Sequence, residues 1–379
     1  MCFLNIGGKN RHMKIAQAVH LFFPATGGIE HHALHLCREL ARLKNEVTVY
    51  TTRIAGAPND EKMDGFAVRR SFSINFPIFS SVRFSPGAFL ALLRSNSDIY
   101  ASHGYGSPMP LFTSLAAFIR RKPFVFTLHG YPKLKGKKRL FQLFYKYFFA
   151  GIFLRIAKKI IVVSKSSIGD IEKEVDKSKL VYVPNGIDEN TFQSTPFEDR
   201  NIIAYIGRLD EYKGVDLLIR AFAKVHKKFP NLELYIIGKD EGIRKGLEGL
   251  SNSLGVKPTF MEAPYDKMGA LYSKLKAVVL PSKYEGFSLV WLEAMASGKP
   301  MFSTLVGDAP LLFEQAYGPE KGRLLFETEE ELAEKLAYFL EHQKDFRKIV
   351  ERAEYVVKEE YSWENVARIT NSLFKELAK

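Results

Sequence analysis

Runs of β-branched and aromatic residues alternate with amphipathic stretches along this chain, and the alternation passes through two rounds. No other feature constrains the fold as strongly. In the first round the sequence predicts strands at Lys14–Val19, Glu46–Thr51, Ile99–Ser102, Phe124–His129 and Lys159–Ser164. In the second it predicts them at Ile202–Ile206, Glu233–Ile237, Thr259–Met261, Ala277–Pro281 and Lys299–Ser303. Between strands, "GIEHHALHLCRELARL" and "VDLLIRAFAKVHKKF" carry apolar residues at i, i+3, i+4, i+7 spacing, the period of a helix with one buried face. Such alternation builds parallel sheets covered by helices on both faces. The first round gives way to the second near "VPNGIDENTFQSTPFEDR", whose polar and proline-rich composition reads as a linker. A length of 379 residues suffices for two domains. The expected fold class is therefore α/β: two doubly wound, Rossmann-like domains facing a central cleft. Ligands of such sheets bind at the carboxyl ends of the strands.

Composition narrows the function classes. With 46% hydrophobic and 26% charged residues, the chain reads as a globular protein. No segment reaches the roughly 20 apolar residues of a membrane span. The most apolar run, Leu140 to Ala157, is broken by Gln142, Lys146 and Arg155. The opening residues lack the apolar core of a signal peptide, and Met13 directly precedes the first strand, so residues 1–12 read as a tail or an over-long start. Cys2 and Cys37 are too few for a disulfide framework or a cysteine zinc site, which favours a cytoplasmic location. The net charge of +13 is uneven: residues 1–190 hold 28 Lys and Arg against 13 Asp and Glu, leaving 27 against 29 for the rest. Halves so different in charge suggest different partners.

The stretch "PSKYEGFSLVWLEAMASGKP" (281–300) places Glu285 in a glycine turn and Glu293 on the helix behind it, predicted over Ser288–Ser297. Gly286 lets the backbone approach a ligand closely, and the amides of Phe287, Ser288 and Leu289 form an anion site at the helix start. Glu285 can accept hydrogen bonds from a polyol, and Glu293 from a ribose diol. The plainer alternative is a Glu285 that favours the helix dipole and a Glu293 paired with a lysine. "IAYIGRLDEYKG" (203–214) brings Arg208 and Lys213 to the end of another strand, two cations able to neutralise a departing diphosphate. A solvated surface pair is the alternative there. "FFPATGGIEHHALHL" supplies Gly27 and Gly28 at a strand-to-helix turn, with no side chain to block a sugar phosphate.

These motifs together resemble the retaining glycosyltransferases of family 4 (glycosyl transferases group 1), which have the two-domain GT-B fold. The likeness runs from G-G-x-E at Gly27 through G-R-L-x-x-x-K-G at Gly207 to an intact E-G-F-x-L-x-x-L-E-A-M-A-x-G-x-P from Glu285 to Pro300. The resemblance implies that Glu285 binds the transferred sugar, Glu293 the nucleotide ribose, and Arg208 and Lys213 the diphosphate. It also implies that His129, in "FTLHGYP", is the cleft histidine near the reacting bond, with His103 in "ASHGYG" a frequent second one. The catalytic set it implies is thus His129, Arg208, Lys213 and Glu285. The donor-binding set is Gly27, Gly28, Gly286, Phe287, Ser288, Leu289 and Glu293. On this reading residues 13–187 bind the acceptor and 188–361 the nucleotide sugar. Residues 362–379 form a helix crossing back to the first domain, anchored by Trp363, with a hinge near Asn185–Gly186 and closure on the donor. Asp308 and Leu311 in "LVGDAPLLF" depart from the family's usual Gly and Glu.

No Asp lies two positions from another, so the D-x-D motif of metal-using transferases is absent, and no metal or other cofactor is expected. Nor is there a G-x-G-x-x-G, which disfavours a nicotinamide enzyme. The segment Lys133–Lys159 holds nine Lys and Arg, no acid, and interleaved aromatics. It reads either as a basic amphipathic surface for an anionic membrane face or as aromatic packing on the first sheet. No nucleic-acid-binding module is recognised. The predicted function is transfer of a sugar from a nucleotide diphosphate sugar to a glycan or lipid-linked hydroxyl, peripheral on the inner membrane face. The alternatives are a nucleotide-sugar epimerase of the same fold, or a non-catalytic membrane- or nucleic-acid-binding protein.

Overall fold

A computed structural model describes residues 12–25, 27–76, 79–130 and 145–379. They divide into two compact units. One comprises the chain up to Val162 with Asp170–Val183 and Ala367–Lys379; the other comprises Val163–Gly169 and Pro184–Val366.

The first unit is built on an eight-stranded sheet. Its strands are β1 (Lys14–Ala18), β2 (Glu46–Thr52), β3 (Asp60–Met63), β4 (Phe66–Ser71), β7 (Ile99–His103), β8 (Phe124–Leu128), β9 (Lys159–Val162) and β10 (Leu180–Tyr182). A separate two-stranded antiparallel sheet pairs β5 (Ile74–Phe76) with β6 (Phe79–Phe84). The large sheet runs β10-β9-β8-β7-β1-β2-β4-β3 and is parallel except for the β3–β4 hairpin. β1 lies between β2 and β7, where the strand order reverses, so the crevice of this sheet opens at the carboxyl end of β1. β1, β7 and β8 are almost wholly buried, as strands covered on both faces must be. Residues from Ala367 pack here too: Asn45 donates to Asn371 at 3.0 Å in a buried contact.

The second unit carries six parallel strands: β11 (Ile202–Ile206), β12 (Glu233–Ile237), β13 (Thr259–Met261), β14 (Leu275–Leu280), β15 (Met301–Thr304) and β16 (Leu325–Phe326). Their order is β13-β12-β11-β14-β15-β16, with the reversal between β11 and β14. Helix Leu289–Ala296, apolar except for Glu293, buries Trp291–Ala296 in the unit's core, and Trp291 Nε1 donates to Ser303 Oγ at 3.0 Å. Trp363 lies so close to Gly186 that a Cβ there would meet its ring at 2.5 Å; only glycine fits beneath the indole.

The two rounds of the sequence pattern correspond to these two sheets, with several adjustments. β3, β4, β5, β6, β10 and β16 were not among the predicted strands. β3 reads DEKM and lies at an exposed edge, where charge discourages further pairing and alternation is lost. β8 ends at Leu128, leaving His129 beyond the sheet, and β9 ends at Val162, with Lys165–Ser167 a turn of 3₁₀ helix instead. The helix predicted over Ser288–Ser297 spans Leu289–Ala296, with Ser288 in an extended conformation ahead of it. The basic stretch holding Lys135, Lys137, Lys138 and Arg139 lies outside the described residues, as do residues 1–11. Among the described residues no helix is long and apolar enough to cross a membrane.

Candidate functional site

In the second unit, the loops after β11 and β14 meet at the point where the strand order reverses. Gly214 stands at φ 62°, and a Cβ there would lie 2.1 Å from the Pro281 carbonyl oxygen. Glycine is therefore required at the place where the two loops close on each other. Lys283 N donates to Tyr212 O at 2.7 Å and fastens the same contact. Lys213 is thereby carried onto Glu285: its Nζ donates to Oε1 at 2.5 Å, and both side chains are mostly shielded from solvent. Ser282 Oγ donates to the same oxygen at 2.8 Å. Two residues predicted from separate motifs thus form one ion pair.

The loop continues into the helix start. Asp308 N donates to Gly286 O at 2.9 Å, and Asn185 Nδ2 donates to Phe287 O at 3.1 Å. The Phe287 ring is buried and stacks on Tyr361 at 5.7 Å, so this residue offers a ligand its backbone rather than its side chain. At the start of the helix the amide of Leu289 has no intrahelical acceptor and carries the positive end of the dipole.

Glu293 is 7% exposed and accepts from Tyr272 Oη at 2.9 Å. Burial pushes its carboxyl up to about 7, against which the Tyr272 bond works only partly. Its partner in the folded chain is thus a phenol, not a lysine. Arg208 behaves differently from Lys213. Its guanidinium is largely exposed and pairs with Asp210 at 3.5 Å, while its carbonyl accepts from Tyr205 Oη at 2.6 Å. The structure does not bring Arg208 into the Lys213–Glu285 pair.

Asp308, where the sequence departs from the family pattern, is 2% exposed. Its carboxylate accepts from Lys165 N and Ser166 N, both at 2.7 Å, and from Ser164 Oγ at 3.0 Å. The side chain is spent on that turn.

In the first unit the crevice at the end of β1 holds a histidine cluster. Gly27 and Gly28 lead into helix Gly28–Arg42, with His31 N donating back to Gly27 O at 3.0 Å. One turn on, His32 faces His103 and His129, with ring centroids 5.4 and 4.6 Å away. His103 Nδ1 lies 3.1 Å from His129 Nε2, and its Nε2 lies 2.9 Å from Gln17 Oε1 on β1. Burial, reinforced by the neighbouring imidazoles, holds His103 and His129 well below the usual histidine range, so both are neutral at physiological pH.

Sequence profiles decide the family. The profile described as glycosyl transferases group 1 matches residues 186–356, and that of Glycosyltransferase Family 4 matches residues 26–191. This chain is a group 1 glycosyltransferase of GT-B fold. The glycosyltransferase is 29% identical to an uncharacterized glycosyltransferase of Methanocaldococcus jannaschii, over 96% of this chain and 98% of the other. It is 26% identical to a phosphatidyl-myo-inositol mannosyltransferase of Mycolicibacterium smegmatis, over 76% and 74%. Among solved structures, sucrose-phosphate synthase of Thermosynechococcus elongatus superposes with a TM-score of 0.79 at 20% identity, covering 97% of this chain and 99% of that one. Anabaena HepE, solved with UDP-glucose, gives 0.72 at 19%, covering 97% and 100%.

Several residues at these two sites carried no usable sequence signal. Tyr272 sits 21 positions before Glu293 on a short helix, and nothing local marks it as that carboxylate's partner. Gln17 is likewise joined to its site only by the fold, whereas Ser282 reaches Glu285 from three residues before it in the same turn. His32 did have a signal, the paired histidines just inside the helix that follows Gly27 and Gly28.

Proposed function

We propose that this glycosyltransferase moves a hexose from a nucleotide diphosphate sugar to an acceptor hydroxyl with retention of anomeric configuration and without a metal ion. The observation that carries this reading is the Lys213–Glu285 pair at the strand-order reversal of the second sheet, beside a helix N-terminus. A diphosphate arriving there exchanges one anionic partner of Lys213 for another. The lysine, Arg208 and the amides of Phe287, Ser288 and Leu289 then stabilise the charge that grows on the leaving group. Such preorganised donors act most strongly where water is scarce, and the Lys213 and Glu285 side chains are 18% and 12% exposed.

Among the described residues, the two bonds to Glu285 both fall on Oε1. Oε2 is the oxygen assigned to a hydroxyl of the transferred sugar. Glu293 is assigned to the ribose, and backbone groups near Phe260 and Met261 to the base. In the first unit, His129 is assigned to the transferred sugar near the reacting bond, and Gly27 and Gly28 to a close approach of the substrate. No nucleophile is assigned.

For the acceptor, the reading is a lipid-linked or otherwise membrane-proximal glycan, with the enzyme peripheral on an anionic membrane. The basic first half supports it, as does the likeness to a relative named for a phosphatidyl-myo-inositol acceptor. Sedimentation with anionic liposomes at low salt tests this, and protein left in the supernatant argues for a soluble acceptor.

The transfer reaction is tested by incubating the enzyme with a panel of nucleotide diphosphate sugars and following nucleoside diphosphate release. The product's anomeric proton coupling is then compared with the donor's. Inversion would remove the retaining assignment, and no release from any donor would remove the reading.

A further inference from the structure

The histidine cluster of the first unit has a geometry that hydrogen bonding between side chains does not require. His32, His103 and His129 come from a helix and from the ends of two neighbouring strands, and each offers a ring nitrogen within 4.8 Å of the other two. The rings surround one point, with centroid separations of 4.6 to 5.4 Å. A zinc-class ion bound by imidazoles at about 2.0–2.1 Å sets its ligand nitrogens about 3.4 Å apart. His103 Nδ1 and His129 Nε2 stand at 3.1 Å already, and a shift of at most about 1.5 Å by His32 completes the set.

We propose that His32, His103 and His129 form a binding site for a divalent transition metal of the zinc class, with His103 ligating through Nδ1 and His129 through Nε2. Gln17 prepares the site. Its Oε1 lies 2.9 Å from His103 Nε2 and takes that N–H, which turns the Nδ1 lone pair toward the other rings. Without metal, His129 Nε2–H donates to that lone pair. On binding, His129 changes tautomer: its proton moves from Nε2 to Nδ1 by exchange with solvent, and Nε2 is presented to the ion. His103 and His129 stay neutral imidazoles through this exchange. Three protein ligands leave a position for water or a substrate oxygen.

This site is separate from charge neutralisation of the diphosphate, which is assigned to the second unit. Metal binding depends only on the cluster. That a bound metal inhibits transfer rests on the proposed role of His129, because the ion would occupy the nitrogen facing the substrate.

The experiment titrates the metal-free full-length protein with Co²⁺ and then with Zn²⁺, reading the visible ligand-field bands of cobalt. The expected result is one equivalent of Co²⁺ with tetrahedral-type bands that Zn²⁺ abolishes. His32→Gln should lose the bands, and Gln17→Leu should weaken affinity by about 10- to 100-fold. His342→Gln, at an exposed histidine, should change neither. Circular dichroism melts establish that each variant is folded. Absence of the bands in wild type, or their persistence in folded His32→Gln, overturns the site. Zn²⁺ inhibition reversed by EDTA supports the role of His129. Stoichiometric binding without inhibition leaves the site standing and removes that role.

Discussion

Lys213 and Glu285, 72 residues apart in the chain, share a hydrogen bond of 2.5 Å between the loops that end β11 and β14. The pair is a product of sheet topology, since those two strands are neighbours only because the strand order reverses there. Because both side chains are mostly shielded, the pair should couple more than an exposed salt bridge does. A double-mutant cycle of Lys213→Ala and Glu285→Gln in urea unfolding should give a coupling of about 1 kcal/mol or more. Additive effects would mean the pair does not act as a unit.

Glu293 should make stability fall as pH rises. Its carboxyl is raised from the ordinary 4.5 to about 7 by burial, so between those values the folded chain holds a proton there that the unfolded chain has lost. Stability at this position is then greatest below the unfolded value, declines across the window and levels off above about pH 7. The upper bound on the change is about 3 kcal/mol. Glu293→Gln keeps an acceptor for Tyr272 and removes the titration. Wild type and variant, compared by urea melts at about pH 5 and about pH 8, should therefore diverge at the higher value, with the variant the more stable. Parallel pH profiles would contradict the buried, proton-holding carboxyl.

Asp308→Ala should cost about 2–3 kcal/mol, because two part-buried amides and a buried hydroxyl lose their carboxylate acceptor at once. Asp308→Asn should recover only part of this, since a carboxamide has one acceptor oxygen for three donors. Thermal melts of the two variants against wild type measure it. A loss below about 1 kcal/mol in Asp308→Ala would mean the turn at Ser164–Ser166 is held by other contacts.

The strand–helix alternation made the α/β class and both sheets legible, because strands buried on two faces must be apolar and their connections amphipathic. The β3–β4 hairpin was not, since an exposed charged edge such as DEKM carries no apolar period. At the site, Lys213, Glu285 and the helix start could be read because glycine turns and short motifs are local. Their meeting could not, since it depends on which strands become neighbours. The same limit hid Tyr272 beneath Glu293 and Gln17 beside His103. For Asp308 the substitution itself was visible in the sequence, while its purpose lies 142 to 144 residues away on the chain.

Glu285→Gln and Glu293→Gln should differ in kind. The first should lower turnover with little change in nucleoside diphosphate affinity, because Glu285 is assigned to the transferred sugar. The second should mainly weaken nucleotide affinity while turnover at saturation is kept. Steady-state kinetics with calorimetric nucleotide binding separates the two. Equal, small effects on both would return the carboxylates to a structural role.

The central claim is that protein cations at the Lys213–Glu285 site, without a metal, stabilise a departing nucleoside diphosphate. Its most direct test is the rate of nucleoside diphosphate release from the preferred donor in excess EDTA, for wild type and Lys213→Ala side by side. The account predicts undiminished release by wild type and a loss on the order of 100-fold in the variant. Release that stops in EDTA and returns with magnesium or manganese, or that is equal in the two proteins, would contradict it.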